Sequence, residues 1–284
     1  PRGRTPSPGL RVMRGAMVTR LKLGDLAPVL RVAGRLLSVP YTRAGAALVV
    51  AMLLLAGLLW AGRGDVLMAQ MARMRDPSLG DLVEWYLMFV ASKTLHECGH
   101  AVAASRMAAA EAHRIDRFPF GVTFMFLLPA PYVDVSGTWF VASRWRRALV
   151  GMAGIWMDLT LAALAATVAA LLAEGTLRDR LCELVVIAGV SSLLFNANPL
   201  VRLDGYYVLT DILEMPNLQG RALAALGRFV GAPFGFGMPR RGDGFLAAYS
   251  LAALGYRLAI FVGIFWLAGG RHWTLAAGVA VVVG

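Results

Sequence analysis

Apolar residues run through this chain in long blocks separated by short charged stretches, the pattern of membrane-length segments rather than of a soluble core. Five blocks stand out: Ala44–Trp60, Leu82–Arg106, Ala148–Ala173, Leu181–Pro199 and Leu246–Ala268. A sixth begins near Trp273 and is still apolar at Val283-Gly284. The pattern predicts an all-α polytopic membrane protein of about six transmembrane helices, the last one truncated. Because the chain starts at Pro1 and stops within an apolar run, both ends read as edges of a fragment. Ala44–Trp60 is longer than the apolar part of a signal peptide and follows 43 residues, so it reads as a retained span. Between the second and third blocks, Phe118–Ser136 is too short and too interrupted for another span. Its aromatic and β-branched residues, bounded by Pro and Gly, predict short strands.

With 58% hydrophobic residues and a formal charge of +11, the chain is no ordinary soluble domain. The charge divides by side. Residues 1–43 hold nine Lys or Arg and one acid, Asp25; 106–147 hold six and 201–245 five, whereas the opposite segments hold six. That is the positive-inside bias, and it predicts an N-terminus inside a cytoplasmic membrane rather than a nucleic-acid partner. Two regions follow: a basic cytoplasmic segment, 1–43, and a membrane-embedded domain, 44–284. Within the first, Val29–Leu37 reads as an interfacial amphipathic helix on an anionic leaflet. Residues 1–9 and 231–244, rich in Pro and Gly, read as a disordered tail and a surface loop. Trp85, Tyr86, Tyr206, Tyr207 and Trp266 near span ends suggest an aromatic belt.

Chemistry concentrates in the second block, at His96-Glu97-Cys98-Gly99-His100. Histidines four apart share a helical face, about 6 Å of rise apart, so both rings can reach one zinc ion. Glu97 lies beside them, placed to take a proton from metal-bound water. Cys98 lies about 200° round the helix from His96, so it reads as packing. Ionisable groups in a lipid-embedded segment mark a functional site by default; the alternative is a chance match in a helix with buried polar contacts. A catalytic zinc needs a third protein ligand. Six residues past His100 the chain has Arg106, and only Glu111 and Asp116 follow nearby. The better candidate is Asp204, in Asn196-Ala-Asn198-Pro199-Leu-Val-Arg-Leu203-Asp204-Gly205. Pro199 should break the fourth span, leaving Asn196 and Asn198 to satisfy freed backbone groups or to hold a substrate carbonyl. An ordinary span end, with Asp204 in water, is the competing reading. Asp158, about ten residues into the third block, needs a partner. Either it accepts a hydrogen bond from a ligand histidine, or it neutralises Lys93.

The paired motifs, HExxH in one span and Asn-Pro-x-x-x-x-Asp-Gly two spans on, resemble the site-2 protease family of membrane zinc peptidases. Pro131–Ser136 and Arg144–Ala148 resemble its bacterial peptide zinc metalloprotease branch. The similarity covers about 82–215. It implies His96, His100 and Asp204 as ligands of one Zn2+ per chain, Glu97 as general base, and a re-entrant β-hairpin between the second and third spans. It also implies hydrolysis of membrane-spanning or membrane-associated peptides near the cytoplasmic face. One departure is Ala153-Gly154-Ile155-Trp156-Met157-Asp158, where the family often carries Ala-Gly-Pro-x-x-Asn. A catalytically silent peptide-binding scaffold or chaperone of the same fold, and a transporter with its broken helix lining an ion path, are the alternatives.

Overall fold

A computed structural model describes residues 18–74, 77–111, 115–125, 128–135 and 143–267. The expected sixth span and the 1–9 tail lie outside them. The fold is mostly helical. In chain order it runs β1 (Val18–Asp25), α1 (Ala27–Leu37), α2 (Arg43–Trp60), α3 (Gly64–Arg73), α4 (Leu79–Ala109), β2 (Pro119–Met125), β3 (Leu128–Val133), α5 (Arg144–Leu171), α6 (Thr176–Leu184), α7 (Asp204–Leu213), α8 (Leu218–Gly231) and α9 (Asp243–Leu267). Contacts divide the chain into two units, Pro1–Phe140 with Trp156–Val190, and Val141–Ile155 with Ser191–Gly284.

Three helices are long and apolar enough to cross a membrane: Arg43–Trp60, Arg144–Leu171 and, within α9, Asp243–Gly263. The expectation of six spans is therefore corrected to three among the described residues. Helix α4 has the length, 31 residues, but Glu84, Lys93, His96, Glu97 and His100 interrupt its apolar character. The fourth block is helical through to Asn196 but not as a regular α-helix: the end of α6 passes into wide π turns over Val185–Val190 and Ser192–Asn196. The charge argument for orientation assumed six crossings, so it loses its basis in the described residues.

In the first unit, Thr42 caps α2, its hydroxyl accepting from Gly45 N–H at 3.0 Å. The helix is tied to the later half of α5 by Trp60 Nε1, which donates to Ala166 O at 3.0 Å. Small residues on that half, Ala162, Ala163, Ala165 and Ala169, are buried, and a Cβ added at Gly189 would lie 2.8 Å from the Ala162 methyl. Helix α4 starts at a reciprocal capping box between Ser78 and Asp81. Beside it, the Arg180 guanidinium reaches Asp81 (3.0 Å), Glu84 (2.7 Å) and Glu183 (2.9 Å), joining α4 to α6.

The predicted hairpin is present, and it belongs to a three-stranded antiparallel sheet in the order β1-β2-β3. The all-α expectation thus missed β1, which comes from the basic N-terminal segment. Asp134 N–H donates to Pro119 O, which turns even-numbered positions of β3 toward β2 and odd ones outward. The outward positions are Pro129, Pro131 and Val133, so two of the three have no N–H to offer. Pro129 O accepts from Tyr86 of α4 at 2.7 Å. This edge is seated on α4, not open for strand addition.

In the second unit, α7, α8 and α9 share a core of Tyr206, Leu218, Ala222, Ala225, Leu246, Tyr249 and Ala253. Arg228 forms a bidentate pair with Asp243 at the start of α9, both bonds 2.7 Å. Tyr249 OH donates to Pro199 O at 2.7 Å and Tyr256 OH to Leu194 O at 2.5 Å, holding α9 against the broken stretch. Arg257, whose partner the sequence did not reveal, keeps Nε and Nη2 buried without a hydrogen bond among the described residues. The aromatic-belt expectation is also revised. Tyr206 is buried, Trp85 Nε1 donates to Glu183 at 2.9 Å, and Tyr86 bonds β3, whereas Tyr207 stays exposed.

Asp25 joins helix α1 to the sheet, its Oδ1 accepting from Ala27 N–H and Phe118 N–H, both at 2.9 Å. Those two backbone bonds hold its carboxyl below the usual aspartate range. A group whose pKa is lowered by folding contributes stability above its unfolded value, and that contribution is lost as pH falls through the folded one. Asp25→Ala should therefore lower the thermal unfolding midpoint above about pH 4, with the gap to wild type closing at lower pH. A gap independent of pH would show that the carboxylate charge does not matter.

Candidate metal centre

The middle of α4 is where the helix is most enclosed. Ser92, His96 and every residue from Cys98 to Ala104 are buried, and most of that run is Gly or Ala. Asp158, arriving on α5, is buried with them.

Its carboxylate resolves the two roles left open by the sequence, because it makes both contacts. Oδ2 lies 2.7 Å from His96 Nδ1 and 2.8 Å from Lys93 Nζ. Ser92 Oγ donates to Oδ1 at 3.2 Å. Ser92, Lys93 and His96 sit at i, i+1 and i+4 of one helix, so a single acid can collect all three. An ionised carboxylate at His96 Nδ1 stabilises the tautomer with hydrogen on Nδ1. That leaves the Nε2 lone pair as the available ligand.

His96 Nε2 in turn lies 3.2 Å from His100 Nε2, with the rings edge to face and their centroids 4.9 Å apart. Two nitrogens bound at about 2.0–2.1 Å to one tetrahedral ion would stand roughly 3.3 Å apart, so this spacing suits a shared metal. Asp204 is the first residue of α7, where a carboxylate is favoured by the helix dipole. His96, His100 and Asp204 each offer one ligand atom, and these atoms lie within 4.8 Å of one another. Both histidines are buried and Asp204 is half-buried. Two imidazoles and one carboxylate could hold a metal ion; the ligand set does not by itself distinguish zinc from its neighbours.

The backbone before Asp204 follows from its sequence. Pro199 has no N–H, and Asn198 Oδ1 accepts from Leu200 N–H at 2.9 Å, turning the chain at the break. Of the two roles open to Asn198, its side-chain oxygen therefore serves the backbone one. At Gly205 a Cβ would run into Ala197 O and lie 3.0 Å from Asn196 O, so only glycine lets the chain close on itself beside Asp204.

Glu97 faces β3: its Oε2 accepts from Val133 N–H at 3.0 Å. The one outward strand position that is not proline thus holds the carboxylate next to the metal-ligand pair. Cys98, read as packing, is a buried free thiol, and so is Cys182.

Sequence reading missed Ser92 and Val133. Ser92 stands four residues before His96 on the same face, a findable signal. Val133 acts through its backbone, which no side-chain pattern reveals. Compared with known proteins, the chain matches no family model, no curated protein and no solved structure. Its functional reading therefore rests on the residues of this centre.

Asp158→Asn should weaken metal binding by about 10–100-fold through loss of the charged partner of His96. Lys93→Met, which leaves the His96 contact in place, should retain affinity near wild type. Competition with a chromogenic zinc chelator reads both. Equal losses in the two variants would assign Asp158 to charge neutralisation of Lys93 instead.

Proposed function

We propose that the chain is a membrane-embedded zinc endopeptidase that hydrolyses peptide bonds of membrane-spanning or membrane-associated peptides. The observation carrying this reading is the convergence of His96, His100 and Asp204 ligand atoms, with the Glu97 carboxylate one residue from the first ligand. The resemblance to site-2 proteases, carried by those residues and by Asn198-Pro199, agrees with it.

In this reading, a zinc ion held by the three ligands would polarise the scissile carbonyl and acidify a bound water. The protein's own groups do the rest. Asp158 fixes the His96 ring and keeps Nε2 aimed away from its own side. Val133 N–H fixes one oxygen of Glu97, which reduces the carboxylate's freedom to swing. Glu97 takes the proton from water and delivers it to the departing amine, so one group serves as base and then acid. Lys93, paired with Asp158, offsets the acid's charge in a segment where an isolated carboxylate would be costly. A substrate helix must unwind locally before its carbonyl carbon is exposed. Edge pairing with β3 does not provide for that here, since its outward edge is committed to α4 and Glu97.

The spans of α2, α5 and α9 support placement in a membrane. A cytoplasmic N-terminus remains part of this proposal and rests on the nine basic residues of 1–43.

Glu97→Gln separates binding from chemistry. Incubated in detergent micelles with a fluorogenic Leu/Ala-rich transmembrane peptide, wild type should cleave and the variant should not. The variant should still hold the same zinc per chain. A loss of at least about 100-fold is expected for removing a general base. Undiminished cleavage by the variant would remove Glu97 from the mechanism, and no cleavage by wild type of any peptide in a sequence-varied set would contradict the peptidase reading.

A further inference from the structure

Helix α1 divides its surface into three strips. Leu30, Ala33 and Leu37 are half-buried on one side. On the next, Val29, Val32 and Leu36 are 49%, 87% and 75% exposed. Arg31 and Arg35, one turn apart, are exposed on the third. No residue of the helix is fully buried. An apolar ridge this open, at i, i+3 and i+7, calls for a cover that water does not supply.

We infer that α1 docks on the surface of an anionic phospholipid membrane, with Val29, Val32 and Leu36 in the acyl boundary and Arg31 and Arg35 at lipid phosphates. Two observations select this occupant. First, five residues separate α1 from α2, a helix long and apolar enough to cross a membrane, so the ridge is tethered close to where that span begins. Second, the charge fits lipid and rejects the protein alternatives. Residues 1–17, the neighbouring chain segment, carry four arginines and no acid. A second copy of the chain would bring the same arginines to the contact. Anionic phospholipid supplies both an apolar layer and phosphates, and it gains attraction from each basic side chain near its surface.

Docking has a consequence for the centre. Asp25 binds the first N–H of α1 and Phe118 N–H before β2, and Leu26 N–H donates to Phe118 O at 2.9 Å. The sheet so anchored ends in Val133, which holds Glu97. The lipid surface would thereby set the level at which the sheet presents that carboxylate. The docking itself does not depend on the peptidase reading.

The test uses the full chain with Val32→Cys labelled by an environment-sensitive bimane; the two native cysteines are buried. The protein is placed in nanodiscs of phosphatidylcholine with or without phosphatidylglycerol, each lipid in ordinary and chain-brominated form. A blue-shifted emission and quenching by brominated phosphatidylglycerol are expected. Both should fall in the Arg31→Gln/Arg35→Gln background and in phosphatidylcholine alone. Emission as red and as iodide-accessible as free dye would overturn the proposal. Quenching unaffected by the arginine changes would overturn its anionic part. Shielding without bromolipid quenching would instead assign the cover to protein: to residues 1–17 if their deletion exposes the dye, or to a second copy if dilution does.

Discussion

The buried carboxylate of Asp158 is the contact on which the rest of the centre depends. It brings negative charge into the interior of helices that are largely apolar, where an uncompensated ion would cost several kcal/mol. Compensation comes from the His96 imidazole and the Lys93 ammonium, at 2.7 and 2.8 Å from the same oxygen. Ser92 satisfies the other oxygen. This arrangement requires three polar residues on consecutive turns of α4, which is why that helix, although 31 residues long, is less apolar than α2 or α9. It also orients His96, so the cost of burying the acid is tied to the geometry of the candidate metal ligands.

A second constraint is backbone rather than charge. The Asp204 carboxylate, a candidate metal ligand, stands at a helix start created by Pro199, the Asn198 turn and Gly205, whose missing side chain lets residues 196–197 come close. Two tyrosines of α9 hold that stretch through its carbonyls. Irregular backbone with its polar groups so satisfied is tolerated inside protein. The Glu97 carboxylate is likewise held by a backbone group, the N–H of Val133.

Much of the centre was legible because it is written in local spacing. Histidines four apart predict a shared face, and the structure puts their Nε2 atoms 3.2 Å apart. The proline break was equally readable, as was the need of Asp158 for a partner in His96 or Lys93. What escaped was non-local. Arg20-Leu21-Lys22-Leu23 alternates as a strand should, but a strand needs a partner, and β2 lies about a hundred residues on. The count of spans departs from the sequence reading where polar residues interrupt α4 and where π turns replace regular helix in the fourth block. Wide helical turns have no propensity signal, and they occur often at functional sites.

The most direct test is the metal content of the detergent-purified chain, determined for wild type, His96→Ala and Asp204→Ala by inductively coupled plasma mass spectrometry. The account predicts one zinc per wild-type chain and marked loss in both variants, with helical content preserved. A folded wild-type chain that holds no zinc would contradict it, and zinc that survives Asp204→Ala while failing in His96→Ala would remove Asp204 from the centre.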